Sequence, residues 1–136
     1  MRERRRVCEG VVAAALLSGA PSALISYRRN HALRPVAEDL IAATRAAGTL
    51  LPPGTPGLVR GAAAHAGVSV LCGELLARTL PRRRSAGFGA GAGLVIGVVN
   101  LVLIGRRFPA IRALPLAPQL ADNVAFGLVF ALIADR

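Results

Sequence analysis

The sequence predicts an all-α protein: a four-helix transmembrane bundle with one additional interfacial or capping helix in the first loop. Three observations lead there. Hydrophobic residues make up 54% of the 136 residues and charged ones 18%, against about 45–50% and about 25% in an ordinary soluble domain. The charges gather in short blocks, and residues 10–27 and 85–105 carry none. An uncharged apolar run of about 18 residues or more can cross the ~30 Å hydrocarbon core as a helix. Arginine flanks each run, in "RERRR", "YRRN", "PRRRS" and "GRRF", where it would meet anionic lipid headgroups. Residues 1–136 are expected to form a single membrane domain.

The first span is expected at 10–27. Its lead, "MRERRR" before "VVAAALLSGA", has the charged-then-apolar form of a secretion signal. Ser18 and Ala20 suit a cleavage site, but Pro21 falls directly after the cut and blocks it. Cys8 precedes the apolar run, so it is not a lipidation cysteine. The segment therefore reads as an uncleaved membrane helix. Pro21 removes a backbone donor, so a kink is expected. Ser18, Ser22 and Ser26 follow at four-residue steps and can bond their own backbone or a neighbouring helix.

The loop helix is expected at 35–51. Pro35 suits a first helical position, and Glu38 and Asp39 suit the positive end of a helix dipole. Val36, Leu40, Ala43, Ala47 and Leu51 recur at three- and four-residue steps and give one apolar face. "PPGTPG" stops the helix. It is too short and too charged to span, so it lies in the interface or caps the bundle.

The second span, 58–78, is framed by Arg60 and Arg78 and interrupted by His65 and Glu74. Gly61, His65, Ser69 and Cys72 share one face. Glu74 points the other way, with Arg78 four residues later as the partner of a boundary salt bridge. Both can reach headgroups.

The third span, 86–105, is the clearest. Its "GFGAGAGLVIG" contains G-x-G-x-x-A at Gly87, Gly89 and Ala92. A dinucleotide site needs a strand before that motif and a helix start at its turn, whereas "PRRRSA" precedes and an unbroken apolar run follows. Gly89, Gly93 and Gly97, every fourth residue, read instead as a helix-packing face of the small-xxx-small kind, with Asn100 beside them. "RRFPAIRALPLAP" joins this span to the fourth, 117–134. There Gln119, Asp122 and Asn123 occupy the first turns, and Phe126 and Phe130 continue the stripe.

Four spans return the chain to its starting side. The arginines divide almost evenly between the two sides, but the dense "RERRR" and "PRRR" blocks lie close to membrane ends. They place both termini in the cytoplasm.

Asp122 has no basic residue three or four positions away, and an unpaired carboxylate in hydrocarbon demands compensation. Counted inward at about 1.5 Å per residue, Ser22, Asn100 and Asp122 lie roughly 7–8 Å from one membrane face, and His65 about 10 Å. The expected site is a buried polar layer of Ser22, His65, Ser69, Asn100, Gln119, Asp122 and Asn123, with His65 and Asp122 as its central pair.

Other classes find little support. The net charge of +10 could indicate nucleic acid, but one Tyr, four Phe and no Trp leave little for base stacking. Seventeen basic residues, all Arg, read as high-GC coding bias. Cys8 and Cys72 are too few for a disulfide framework or closed metal site. No catalytic, cofactor-binding or metal-ligating residue stands out, because the sequence lacks H-E-x-x-H, G-x-S-x-G and a close carboxylate pair. The expected role is that of a non-enzymatic structural or accessory membrane protein. The alternative is a small proton-coupled or small-solute transporter or channel using the polar layer. The expected partners are a bilayer with anionic headgroups and a homo-oligomer or another membrane protein, since four short spans enclose little volume.

Four stretches, "SGAPS" at 18–22, "ATRAAGTLLPP" at 43–53, "AHAGVS" at 64–69 and "GRRFPAIRALPLAPQLAD" at 105–122, together resemble a small uncharacterised family of actinobacterial four-helix integral membrane proteins. The last stretch is the most specific. The resemblance implies a multi-pass protein of a bacterial plasma membrane and transfers no functional residue.

Overall fold

The computed structural model describes residues 1–81 and 86–134, apart from the Arg2 side chain. The arginine block at 82–84 and the last two residues, on which part of the orientation argument rests, lie outside the described residues. Among the described residues the protein is all-helical, with 86% helix and no strand.

The chain opens with α1 (Arg2–Leu17) and α2 (Ala20–Asn30), two helices separated by a break at Ser18 and Gly19. The first helix starts well before the expected residue 10. Alternating charge explains this: Arg5 Nε lies 2.8 Å from Glu9 Oε1, an i,i+4 pair that supports the arginine-rich first turns. The expected kink becomes an interruption of the helical hydrogen bonds at Ser18 and Gly19, which both keep right-handed helical angles, and it falls before Pro21 rather than at it. Pro21 is the second residue of α2, where a missing N–H costs nothing.

His31 ends α2 in the left-handed conformation, at φ 52°. Then comes α3 (Leu33–Ala47), followed by one 3-10 turn over Gly48–Leu50. This is the expected loop helix, begun two residues early, so that Pro35 sits third in the helix, still among positions whose N–H has no intrahelical partner. Glu38 pairs with Arg34 at 2.8 Å and Asp39 accepts the Ser26 hydroxyl at 2.6 Å. Neither acid caps the helix start.

The loop to α4 (Leu58–Thr79) is held by Arg60. Its guanidinium donates to the carbonyls of Leu51 and Pro52, the latter at 2.6 Å. Arg60 therefore serves the loop backbone, a role its position in "LVRG" did not announce.

The next helix runs unbroken from Ala86 to Arg107, as α5 (Ala86–Val99), a π-helical turn over Asn100–Ile104, and α6 (Gly105–Arg107). The short α7 (Pro109–Arg112) leads to α8 (Leu116–Ala134).

Among the described residues, three helical segments are long and apolar enough to cross a membrane: Glu3–Asn30, which takes α1 and α2 together, Ala86–Arg107 and Leu116–Ala134. Leu58–Thr79, the expected second span, is a helix of 22 residues, but Arg60, His65, Glu74 and Arg78 keep it out of that group. Little of the three apolar helices is buried within the protein. Val95 and Leu103 are 63% and 62% exposed, an aliphatic outer surface of the kind that meets lipid or protein.

The centre of the fold is α8, packed against α5 on one side and α1 on another; α4 leans on α1 and α3, and α3 also packs on α2. Val11, Ala14, Leu76, Phe126 and Phe130 form the core, with Phe130 fully buried. Gly89 and Gly93 let α5 approach α8 closely. A methyl group at Gly93 would strike the Asn123 carbonyl, and one at Gly89 would lie 2.5 Å from Ala131 Cβ. Gly97 faces Asn123 and Leu120. These are the three glycines of the sequence's four-residue repeat.

Candidate functional site

The break between α1 and α2 leaves two open helix ends facing each other. At the end of α1 the Ala15 carbonyl loses the Gly19 N–H that a continuous helix would supply. It is met by the Ser18 hydroxyl at 3.3 Å and by His65 Nε2 of α4 at 3.1 Å. A carbonyl can only accept, so this nitrogen carries the proton.

At the start of α2 the Ser22 N–H has no intrahelical acceptor. Asp122 of α8 supplies one: Oδ1 accepts this N–H at 2.9 Å, and Oδ2 accepts the Ser22 hydroxyl at 2.5 Å. A carboxylate at a helix N-terminus also gains from the dipole, typically about 0.3–1 kcal/mol and up to about 2 when partly buried. The compensation that Asp122 requires comes from a helix end and a serine, not from a basic side chain. His65 and Asp122 lie within electrostatic range of each other, yet each is hydrogen-bonded to the broken helix rather than to the other.

A second polar chain runs beside the first. Asn100 Nδ2 donates to Asn123 Oδ1 at 3.3 Å, Asn123 Nδ2 to the Gln119 carbonyl at 2.8 Å, and Gln119 Nε2 to the Ile111 carbonyl at 3.4 Å. Asn100 opens the π-helical turn. Such turns recur at functional sites because one extra residue re-aims the side chains around it.

These groups surround one partly open cavity of about 550 Å³. His65, Ser69, Asn100, Gln119, Asp122 and Asn123 all line it, and Ser22 reaches it through Asp122. Six of the seven expected residues thus share the cavity wall, and Ser22 does not. The layer is less buried than expected: Ser69 is buried, Ser22, Asn100, Gln119, Asp122 and Asn123 are half-buried, and His65 is exposed. The Ser69 hydroxyl is notable there. Ser69 is 4% exposed, and its hydroxyl makes no hydrogen bond among the described residues. Among those residues no fully buried polar side-chain atom lacks a partner, so this oxygen keeps some exposure, and Ser69 lines the cavity.

The helix-packing glycines and the boundary pair lie elsewhere. Gly89, Gly93 and Gly97 are buried along α8. Arg78 Nη2 lies 3.5 Å from Glu74 Oε2, with both side chains more than half exposed, an arrangement worth about 0.3–0.5 kcal/mol. Sequence reasoning set Cys72 on the His65 and Ser69 face but outside the layer, and missed the Ala15 carbonyl and the α3 wall of the cavity, which includes Leu40 and Thr44. Pro21 with Gly19 two residues earlier signalled the break. The sequence offered an interfacial or a capping place for α3, and did not say that it would wall this cavity. No group of His, Cys, Asp and Glu among the described residues could hold a metal ion.

The chain matches no family model, no curated protein and no solved structure.

Proposed function

We propose that the chain is a non-enzymatic, multi-pass protein of a bacterial plasma membrane that holds a small solute at the break in its first span, as a small transporter or channel does. It crosses the bilayer four times, as a four-helix bundle capped by α3, with both termini cytoplasmic and its arginines against anionic headgroups. The observation that carries the reading is the cavity at the paired helix ends. Its volume of about 550 Å³ falls within the roughly 300–1,000 Å³ of small-molecule pockets. Transporters place solute sites at discontinuous helices whose open ends supply fixed partial charges. The fourth crossing is supported by the packing of α4 on α1 and α3 and by its charges. Arg60 is bonded to the loop, and Glu74 pairs with Arg78 near the other end.

A structural or accessory role is the second reading, favoured by a specific observation: the bonds from Ser22 to Asp122 and from Asn100 to Asn123 each join two helices. Such bonds fix register at about 0.6–2 kcal/mol each.

Cys72 separates the two. It lines the cavity, and the other cysteine, Cys8, is exposed. In a Cys8→Ser protein in sealed vesicles, a small, charged, membrane-impermeant thiol reagent is expected to modify Cys72 from one side. If Cys72 reacts only after denaturation, the polar layer is sealed and the transport reading fails.

A further inference from the structure

We infer that the cavity's ligand is a small amphiphilic amine, its ammonium group held by Asp122 and its apolar body lying along Leu16, Val68, Ile96 and Phe126. The inference rests on the reading of the cavity as a solute site and adds the solute's chemistry.

The argument from charge is short. Among the described residues, Asp122 is the one carboxylate on the cavity wall, and no arginine lines it. An anion would meet a carboxylate and no guanidinium. The α2 N-terminus and the Ser22 hydroxyl stabilise the Asp122 carboxylate without a positive side chain. Each carboxylate oxygen accepts one of these bonds and keeps further lone pairs for another donor.

The hydrogen-bond inventory is compatible with that sign. The Asn100, Asn123 and Gln119 amides each commit one N–H, to Asn123, Gln119 and Ile111, and His65 Nε2 commits its proton to Ala15. The second N–H of each amide stays open, as do the acceptors Asn100 Oδ1, Gln119 Oε1 and the Asp122 oxygens. The charge of Asp122 therefore sets the sign, and the neutral acceptors beside it complete the site. An ammonium group brings up to three donors for them and no acceptor. Aliphatic and aromatic side chains, Leu16, Val68, Ile96 and Phe126 among them, make up most of the rest of the wall and suit an apolar body.

The test compares three compounds that share a body and differ in head: 3-phenylpropylamine, 3-phenylpropanol and 3-phenylpropionate. Equilibrium binding is measured to the full chain in lipid nanodiscs. A cavity-filling Val68→Phe protein defines the background from partition into lipid. The amine is expected to bind at least about tenfold tighter than either analogue, and Asp122→Asn to erase that preference. Because Asp122 also caps α2, Gln119→Leu provides a second variant, expected to weaken amine binding several-fold while leaving the alcohol unchanged. The alcohol binding wild type as tightly as the amine, or amine preference persisting in Asp122→Asn, overturns the inference and leaves the cavity reading standing. So does a wild type that binds none of the three while Cys72 still reacts from water. If Cys72 is also unreactive, the cavity reading itself falls.

Discussion

Asp122 caps a helix to which it does not belong. Its two carboxylate oxygens accept the N–H and the hydroxyl of Ser22, a hundred residues earlier, at 2.9 and 2.5 Å. At the opposite end of the same break, His65 occupies the Ala15 carbonyl. One interruption in the first helix therefore explains both ionisable groups in otherwise apolar helices. Each answers backbone polarity that the interruption exposes, and unsatisfied backbone groups in an apolar setting cost several kcal/mol.

The His65 contact can be weighed by substitution. His65→Ala leaves the Ala15 carbonyl with the Ser18 hydroxyl alone, and is expected to destabilise the protein by about 0.6–2 kcal/mol. His65→Gln keeps a side-chain donor and should recover part of that loss. Reversible unfolding of the purified protein in detergent measures both. An alanine variant as stable as wild type would remove His65 from the capping arrangement.

Two glycines on one helix give an internal control. Gly93 faces the Asn123 carbonyl and Val124, whereas Gly91 has nothing within 4 Å of an added Cβ. Gly93→Val is expected to destabilise the protein by about 1–3 kcal/mol or more through overpacking. Gly91→Val should stay within about 0.5 kcal/mol, as an exposed substitution does. Equal effects in thermal unfolding would mean that α5 and α8 do not meet along the Gly89, Gly93 and Gly97 face.

Topology tests the status of α4. If it crosses the membrane with the three more apolar helices, the two termini share a side. A fluorescent reporter active only in the cytoplasm is expected to work at either terminus. A phosphatase active only outside should work when inserted after Gly54, in the loop before α4. Termini on opposite sides would show that Leu58–Thr79 does not cross.

How much of this could be read from the sequence depends on the kind of signal. The helices announced themselves through uncharged runs and small-residue spacing, because both are local properties. Residue counting set Ser22, His65, Asn100 and Asp122 near one level; His65, Asn100 and Asp122 line the cavity, and Ser22 bonds to Asp122. Rotation and partner choice were not readable. His65 and Asp122, a base and an acid that residue counting sets near one level, looked like natural partners for each other. Each instead bonds to the backbone ends of the first helix, because backbone groups released by a break carry no side-chain signature. The π-helical turn at Asn100 likewise has no local signature in the sequence.

The pairing of Ser22 with Asp122 can be isolated by a double-mutant cycle. Ser22→Ala, Asp122→Asn and the double variant are compared with wild type by reversible unfolding in detergent. A hydrogen bond to a charged group in this setting should give a coupling energy of about 1–3 kcal/mol. Single effects that add to within about 0.5 kcal/mol would show that Ser22 and Asp122 do not interact, and that the break in the first helix is not held by the carboxylate of α8.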